Sequence, residues 1–190
     1  MKKCIIDIDG VLNMYPQTYI DYVNVVKQTS FVTLDEVKNG LSYKEYAELK
    51  KLYRTSGIKE RLQPRSDACM FLKYLRHMGY TVIILSSRPV EVYNDLIFQT
   101  TRWLAKNELV YDFLDFGYRK HINIIEKFGD IDFVIDDNSE IAISLVNYVG
   151  NVYLMKNECN KDFDHGGVIK VDGFSEIVRR IEANEQNRNQ

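Results

Sequence analysis

Cys4-Ile5-Ile6-Asp7-Ile8-Asp9-Gly10-Val11 is the stretch that decides the fold. An apolar, β-branched run enters two carboxylates one residue apart and then a glycine. In a period-two strand Asp7 and Asp9 project to the same side. Two like charges about 5 Å apart repel by roughly 3 kcal/mol at an effective dielectric of 20. A strand end of this composition implies a cation, or chemistry that uses the charges.

Matching pieces follow along the chain. Apolar runs at 3–8, 81–86, 131–135 and 151–155 are short, β-branched and bounded by polar residues or glycine, which predicts buried parallel strands. A further strand is expected at 113–116. The runs end in Asp7-Ile8-Asp9, in Ser86-Ser87-Arg88-Pro89 and in Asp136-Asp137-Asn138, as expected where ligands bind beyond the carboxyl ends of parallel strands. Helical patterns lie between them at 67–77, with apolar Ala68, Phe71, Leu72 and Leu75, and at 90–107, 121–128 and 139–148. The alternation predicts an α/β, Rossmann-like three-layer sandwich around a central parallel sheet. The interval 14–62 is too long for a simple connection and has helical patterns of its own at 18–28 and 42–53. It reads as a small inserted helical cap, giving a core of 1–13 and 63–183, a cap of 14–62 and a flexible polar tail at 184–190.

With 190 residues, 45% hydrophobic and 27% charged, the chain is large enough for a real core and has ordinary globular composition. The net charge of -2 argues against a general nucleic-acid binder. Local charge differs: between Lys44 and Arg65 seven basic residues (Lys44, Lys50, Lys51, Arg54, Lys59, Arg61, Arg65) meet three acids (Glu45, Glu48, Glu60). That run is either a solvated helix face or an attractor for an anionic substrate. Cys4, Cys69 and Cys159 have no C-x-x-C spacing and read as reduced packing residues. Met-Lys-Lys leads directly into a strand with no apolar stretch of membrane-spanning length, so a cytoplasmic protein with no membrane partner is expected.

The four signals in this order, Asp7-x-Asp9-Gly10-Val11, Ser86-Ser87-Arg88-Pro89, Lys120 and Asp136-Asp137, resemble the four motifs of the haloacid dehalogenase-like phosphohydrolase superfamily over roughly residues 3–155. The cap position and the motif set look like its nucleotidase and polynucleotide-phosphatase branches. The resemblance implies Asp7 as nucleophile, forming an aspartyl-phosphate, and Asp9 as proton donor to the leaving group and then base for the attacking water. For that, Asp9 is expected to be held protonated by neighbouring carboxylates or burial. Mg²⁺ is the implied cofactor, bound by an oxygen of Asp7, the main-chain carbonyl of Asp9, and Asp136, with Asp137 acting directly or through water. Four carboxylates against the single ammonium of Lys120 leave a count of -3, which calls for such a cation. Ser86, with Ser87 as rival, would bind a phosphoryl oxygen. Gly10, Ser87 and Arg88 are the expected substrate contacts, with backbone amides after Asp9 forming an anion nest. Lys120, with Lys127 as rival, would bridge phosphoryl oxygen and Asp7.

Each piece has an ordinary structural reading beside this one. Asp9-Gly10 is also a turn signal, Asn138 is a good helix cap, and Pro89 suits a helix start. Order and strand context together favour chemistry. Six of the 13 tyrosines fall in the cap, where helical spacing predicts packing, although aromatic faces beside a phosphate site also suit a nucleobase. His77, His121 and His165 show no ligand spacing. The implied function is a Mg²⁺-dependent phosphomonoester hydrolase acting on a small phosphorylated metabolite such as a (deoxy)nucleoside monophosphate. A 3′-phosphatase acting on nucleic-acid ends, a phosphotransferase and a non-catalytic phosphate-ligand-binding protein are the alternatives.

Overall fold

The computed structural model of the protein describes residues 2–117 and 124–188. Among them six strands form one parallel sheet: β1 (Lys2–Ile6), β2 (Tyr80–Ser86), β3 (Phe113–Phe116), β4 (Phe133–Asp136), β5 (Asn151–Met155) and β6 (Val168–Val171), in the order β3-β2-β1-β4-β5-β6. The fold is the expected α/β, Rossmann-like one. The edge strand β6 escaped sequence reading because it is only four residues long and Lys170 interrupts its apolar pattern.

The register positions the site. Ile6 lies opposite Ile84 of β2 and Ile135 of β4. The Asp7 N–H continues the ladder, donating to Ile135 O at 3.0 Å. Asp7 is therefore level with Asp136 on the neighbouring strand, at the point where strand order reverses and a crevice opens between the loops.

Between β1 and β2 lie α1 (Gln17–Lys27), α2 (Leu34–Gly40), α3 (Tyr43–Thr55) and the single turn α4 (Ile58–Arg61). Helices α2 and α3 each begin with a reciprocal capping box, Thr33 with Glu36 and Ser42 with Glu45, which satisfies two orphan N–H groups at each start. The Thr33-x-x-Glu36 signal was the one available cue to α2. Tyr19 is the hub of this unit, with the rings of Tyr22, Tyr46 and Tyr53 at 6.3, 6.1 and 5.2 Å.

Helices α5 (Ala68–His77), α6 (Asp95–Lys106), α7 (Ser139–Leu145) and α8 (Phe174–Arg188) belong to the sheet. Strand alternation sorts the core onto two faces. Cys4, Ile6, Val82, Ile84 and Ile135 pack with Leu72, Trp103 and Ile177 of α5, α6 and α8, while Ile5, Ile83, Val134 and Val152 pack with Ala142 and Leu145 of α7. The inserted helices are tied to α6 by two hydrogen bonds: Trp103 Nε1 donates to Leu62 O at 2.7 Å, and Gln99 Nε2 to Arg54 O at 3.0 Å.

Three local expectations differ from the structure. The helix expected from Val90 begins at Asp95, because Pro89 starts a separate turn closed by Tyr93 N–H donating to Pro89 O at 3.0 Å. Of the helix expected at 121–128, Ile124–Phe128 is a π-helical turn and 121–123 lie outside the described residues. The polar end read as a flexible tail from 184 continues as helix α8 to Arg188, and Glu185 pairs with Lys2 at 2.8 Å. No helix among the described residues is long and apolar enough to cross a membrane.

Candidate active site

Asp7, Asp136 and Asp137 each bring a carboxylate oxygen to within 4.8 Å of one another. Strand register places the first two. The third is placed by Gly10, whose φ of +87° favours glycine and whose missing side chain is required: a Cβ there would lie 2.0 Å from Asp137 Oδ2. Asn157 Nδ2 donates to Asp137 Oδ2 at 3.0 Å and Asn160 Nδ2 to the Asp137 carbonyl at 2.9 Å, so the loop after β5 fixes this residue. Asp136 Oδ1 accepts from the Asn138 N–H at 2.9 Å. Three convergent carboxylates are an all-oxygen donor set that fits a hard divalent cation such as Mg²⁺.

Asp9 stands apart from that trio. Arg88 grips it with two bonds, Nη2 to Oδ1 at 2.8 Å and Nε to Oδ2 at 3.1 Å, while Lys59 Nζ reaches Oδ2 at 2.7 Å and Asn13 Nδ2 reaches Oδ1 at 2.8 Å. Burial alone would raise its pKa, but the charges of Arg88 and then Lys59, with hydrogen bonds from Arg88 and Asn13, hold it well below the usual carboxylate range. The expectation that Asp9 is held protonated is thereby corrected. Its partners among the described residues are two cations and an amide, with no second carboxylate to hold its proton. Burial, ahead of the charge of Arg88, in turn pulls Lys59 down to about 8 against the attraction of Asp9.

Arg88 is itself buried, and its remaining donor Nη1 bonds Thr100 Oγ1 at 2.8 Å. Its described bonds thus go to protein groups, Asp9 first, although it lines the cavity. Ser86 ends β2 beside it and accepts the Arg88 N–H at 3.4 Å. The Ser87 hydroxyl is buried and has no hydrogen-bond partner among the described residues. Both serines line the same cavity as Asp7, Asp136 and Asp137, about 200 Å³ in volume. The Gly10 N–H donates to Asn13 Oδ1 at 3.2 Å, which commits the first amide of the expected nest to the loop itself. Lys127 pairs with Asp115 at 2.7 Å and does not line the cavity. Lys120 lies outside the described residues.

Sequence reading left the contribution of the inserted helices open, between a solvated face and an attractor for an anion, and assigned no site role to any single residue there. Lys50 and Arg54 of α3 and Lys59 of α4 line the cavity together with Tyr15 and Tyr53. The count of -3 is corrected accordingly, since it left out Arg88 and these three cations. Their signal was the basic run from Lys44 to Arg65, and within it the four-residue spacing of Lys50 and Arg54, which puts both on one helix face. Lys50 Nζ donates to Tyr15 OH at 2.8 Å and sits 3.8 Å from the ring centre of Tyr19.

No protein-family model and no curated protein matches the chain. Solved structures do. The D,D-heptose 1,7-bisphosphate phosphatase from B. bronchiseptica, complexed with magnesium and phosphate, aligns at a TM-score of 0.56 with 11% identity, over 97% of this chain and 99% of that one. The corresponding enzyme from Burkholderia thailandensis aligns at 0.52 with 14% identity, over 92% and 94%. A dehalogenase aligns at 0.52 with 13% identity, over 93% and 95%. At such identities the likeness speaks for the fold alone: the chain has the same fold as these two phosphatases and this dehalogenase.

Proposed function

We propose that the protein is a Mg²⁺-dependent phosphomonoester hydrolase that works through an aspartyl-phosphate on Asp7. The observation that carries this reading is the convergence of Asp7, Asp136 and Asp137 at the carboxyl end of the sheet. Asp7, Asp136, the main-chain carbonyl of Asp9 and, directly or through water, Asp137 would hold the ion. When bound, Mg²⁺ supplies charge neutralisation at the phosphoryl oxygens.

In the first half-reaction an Asp7 oxygen attacks phosphorus and the bond to the leaving oxygen breaks. The leaving oxygen takes a proton relayed from the Lys59 ammonium through Asp9, 2.7 Å away, which leaves Lys59 neutral until the proton that Asp9 takes from water in the second half passes back to it. In the second half Asp9, ionised as it stands, takes a proton from the water that attacks phosphorus and releases Asp7. Ser86, or the unpartnered hydroxyl of Ser87, would bind a phosphoryl oxygen. Lys120 is retained as the cation that steadies Asp7 and the transferring group.

The substrate is a small phosphorylated metabolite. A (deoxy)nucleoside monophosphate, the class named from the cap position, its tyrosine and basic content and the motif set, would stack its base on an aromatic face. Of the tyrosines that line the cavity, Tyr15 has Lys50 4.9 Å from its ring centre and Tyr53 has Lys59 5.1 Å from its own, which favours a different leaving group. A panel of phosphate esters, assayed for phosphate release with Mg²⁺ and again with a chelator, tests the hydrolase. Release that disappears with chelator and returns with Mg²⁺ is expected. No release from any ester defeats the reading.

A further inference from the structure

We propose that Lys50 and Arg54 form a subsite for a second anionic group, so that the substrate is a compact phosphate ester whose leaving portion carries a carboxylate or a second phosphate. The inference rests on the hydrolase reading for what happens to the phosphoryl group, and on the insertion alone for the second anion.

Lys50 and Arg54 stand one turn apart on α3 and line the cavity that also holds Asp7. Like charges at this spacing disfavour a helix unless an anion sits between them. Among the described residues no carboxylate ion-pairs with either. The acids that could have done so are engaged elsewhere or turned outward: Asp9 is held by Arg88 and Lys59, Glu45 by Lys27 and Ser42, and Glu48 is exposed. Arg54 stacks its guanidinium 5.6 Å from the Tyr93 ring centre and Lys50 is seated on tyrosine rings. Both heads are therefore positioned by uncharged partners, with no protein carboxylate among the described residues competing with an anionic ligand.

The electrostatics agree. Burial, then repulsion from Lys59 and Arg54, pulls Lys50 down to about 7. Positive charge is in excess at this end of the cavity, and a bound anion would relieve it. The cavity volume of about 200 Å³ is smaller than the ~300–1,000 Å³ of pockets for drug-sized ligands. A short metabolite suits that space better than the end of an oligonucleotide.

Non-hydrolysable phosphonates separate the two readings because binding needs no turnover. Affinities for 3-phosphonopropionate and for n-propylphosphonate, which lacks only the acid, are measured by calorimetry with Mg²⁺ present. The carboxylate is expected to tighten binding at least about tenfold, as for a charge-assisted hydrogen bond. Lys50→Met together with Arg54→Gln should reduce that ratio to within about twofold. If the double variant does not fold, Arg54→Gln alone, at a half-exposed position, should reduce it partially.

Equal affinities in the wild type, no binding of either phosphonate, or a ratio the variants leave intact would overturn the subsite. So would a 3′-phosphorylated oligonucleotide that displaces 3-phosphonopropionate at lower concentration than a mononucleotide does, which would assign the cations to a nucleic-acid end. If discrimination holds while no ester is turned over, the subsite stands and the hydrolase reading falls.

Discussion

At the residue scale, Gly10 and Asp9 show how one short loop serves two purposes. Gly10 is needed for its absence of a side chain, since Asp137 fills the space a Cβ would take. Gly10→Ala is expected to destabilise the protein by about 1 kcal/mol or more through its positive φ. The same change should weaken Mg²⁺ binding about ten- to hundredfold by displacing Asp137. Denaturant titration and calorimetry with MgCl₂ check the two effects separately, and unchanged metal affinity would mean that Asp137 does not act at the ion. Asp7, Asp136 and Ser86 were legible because each ends an apolar strand, where position follows from register. The partners of Asp9 were not. Asn13 is set by a tight turn on Ile8 O, and Lys59 comes from 50 positions away, a pairing that no local pattern encodes.

At the element scale, the inserted helices pack tyrosines around buried cations, and this has a signature in pH. A lysine whose pKa falls on folding costs stability when both states are protonated. The cost fades as pH rises from the folded value, about 7 for Lys50, to the unfolded value near 10.4. Over that window the unfolded chain binds more protons, so stability rises with pH by up to about 1.4 kcal/mol per pH unit from this group. The groups facing it are Tyr15, Tyr19, Tyr46, Arg54, Lys59, Lys38 and Asp9. Lys59, held at about 8, adds a slope of the same sign over the narrower window above that value. Lys50→Met should therefore flatten the rise in unfolding free energy between about pH 7 and 9.5, measured by urea titration. Parallel wild-type and variant profiles would show that Lys50 is not desolvated. Sequence periodicity found α1 and α3 because each has an apolar stripe. It passed over α2 and α4, which are too short to show one.

At the scale of the whole molecule, the parallel sheet and its two covered faces were foreseeable from strands read as continuous apolar runs, a pattern that belongs to sheets covered on both sides, whereas the strand order was not. The carboxyl-terminal helix was underestimated, because its polar last turns hide how firmly its start is anchored. Phe174 stacks on Phe71 of α5 with ring centres 4.3 Å apart, and Ile177 and Ile181 are buried behind it. Phe174→Ala is expected to cost about 3–5 kcal/mol, read from the denaturation midpoint. A loss under about 1 kcal/mol would mean that α8 is not part of the cooperative core.

The central claim is that phosphorus passes through the Asp7 carboxylate. The most direct measurement is a single turnover with a good phosphate ester and Mg²⁺, quenched in acid and followed by peptide mass spectrometry. The account predicts one added phosphoryl group on the peptide containing Asp7, and neither that adduct nor phosphate release in Asp7→Asn. Continued release by Asp7→Asn, or a phosphoryl group found on a different residue, would contradict it.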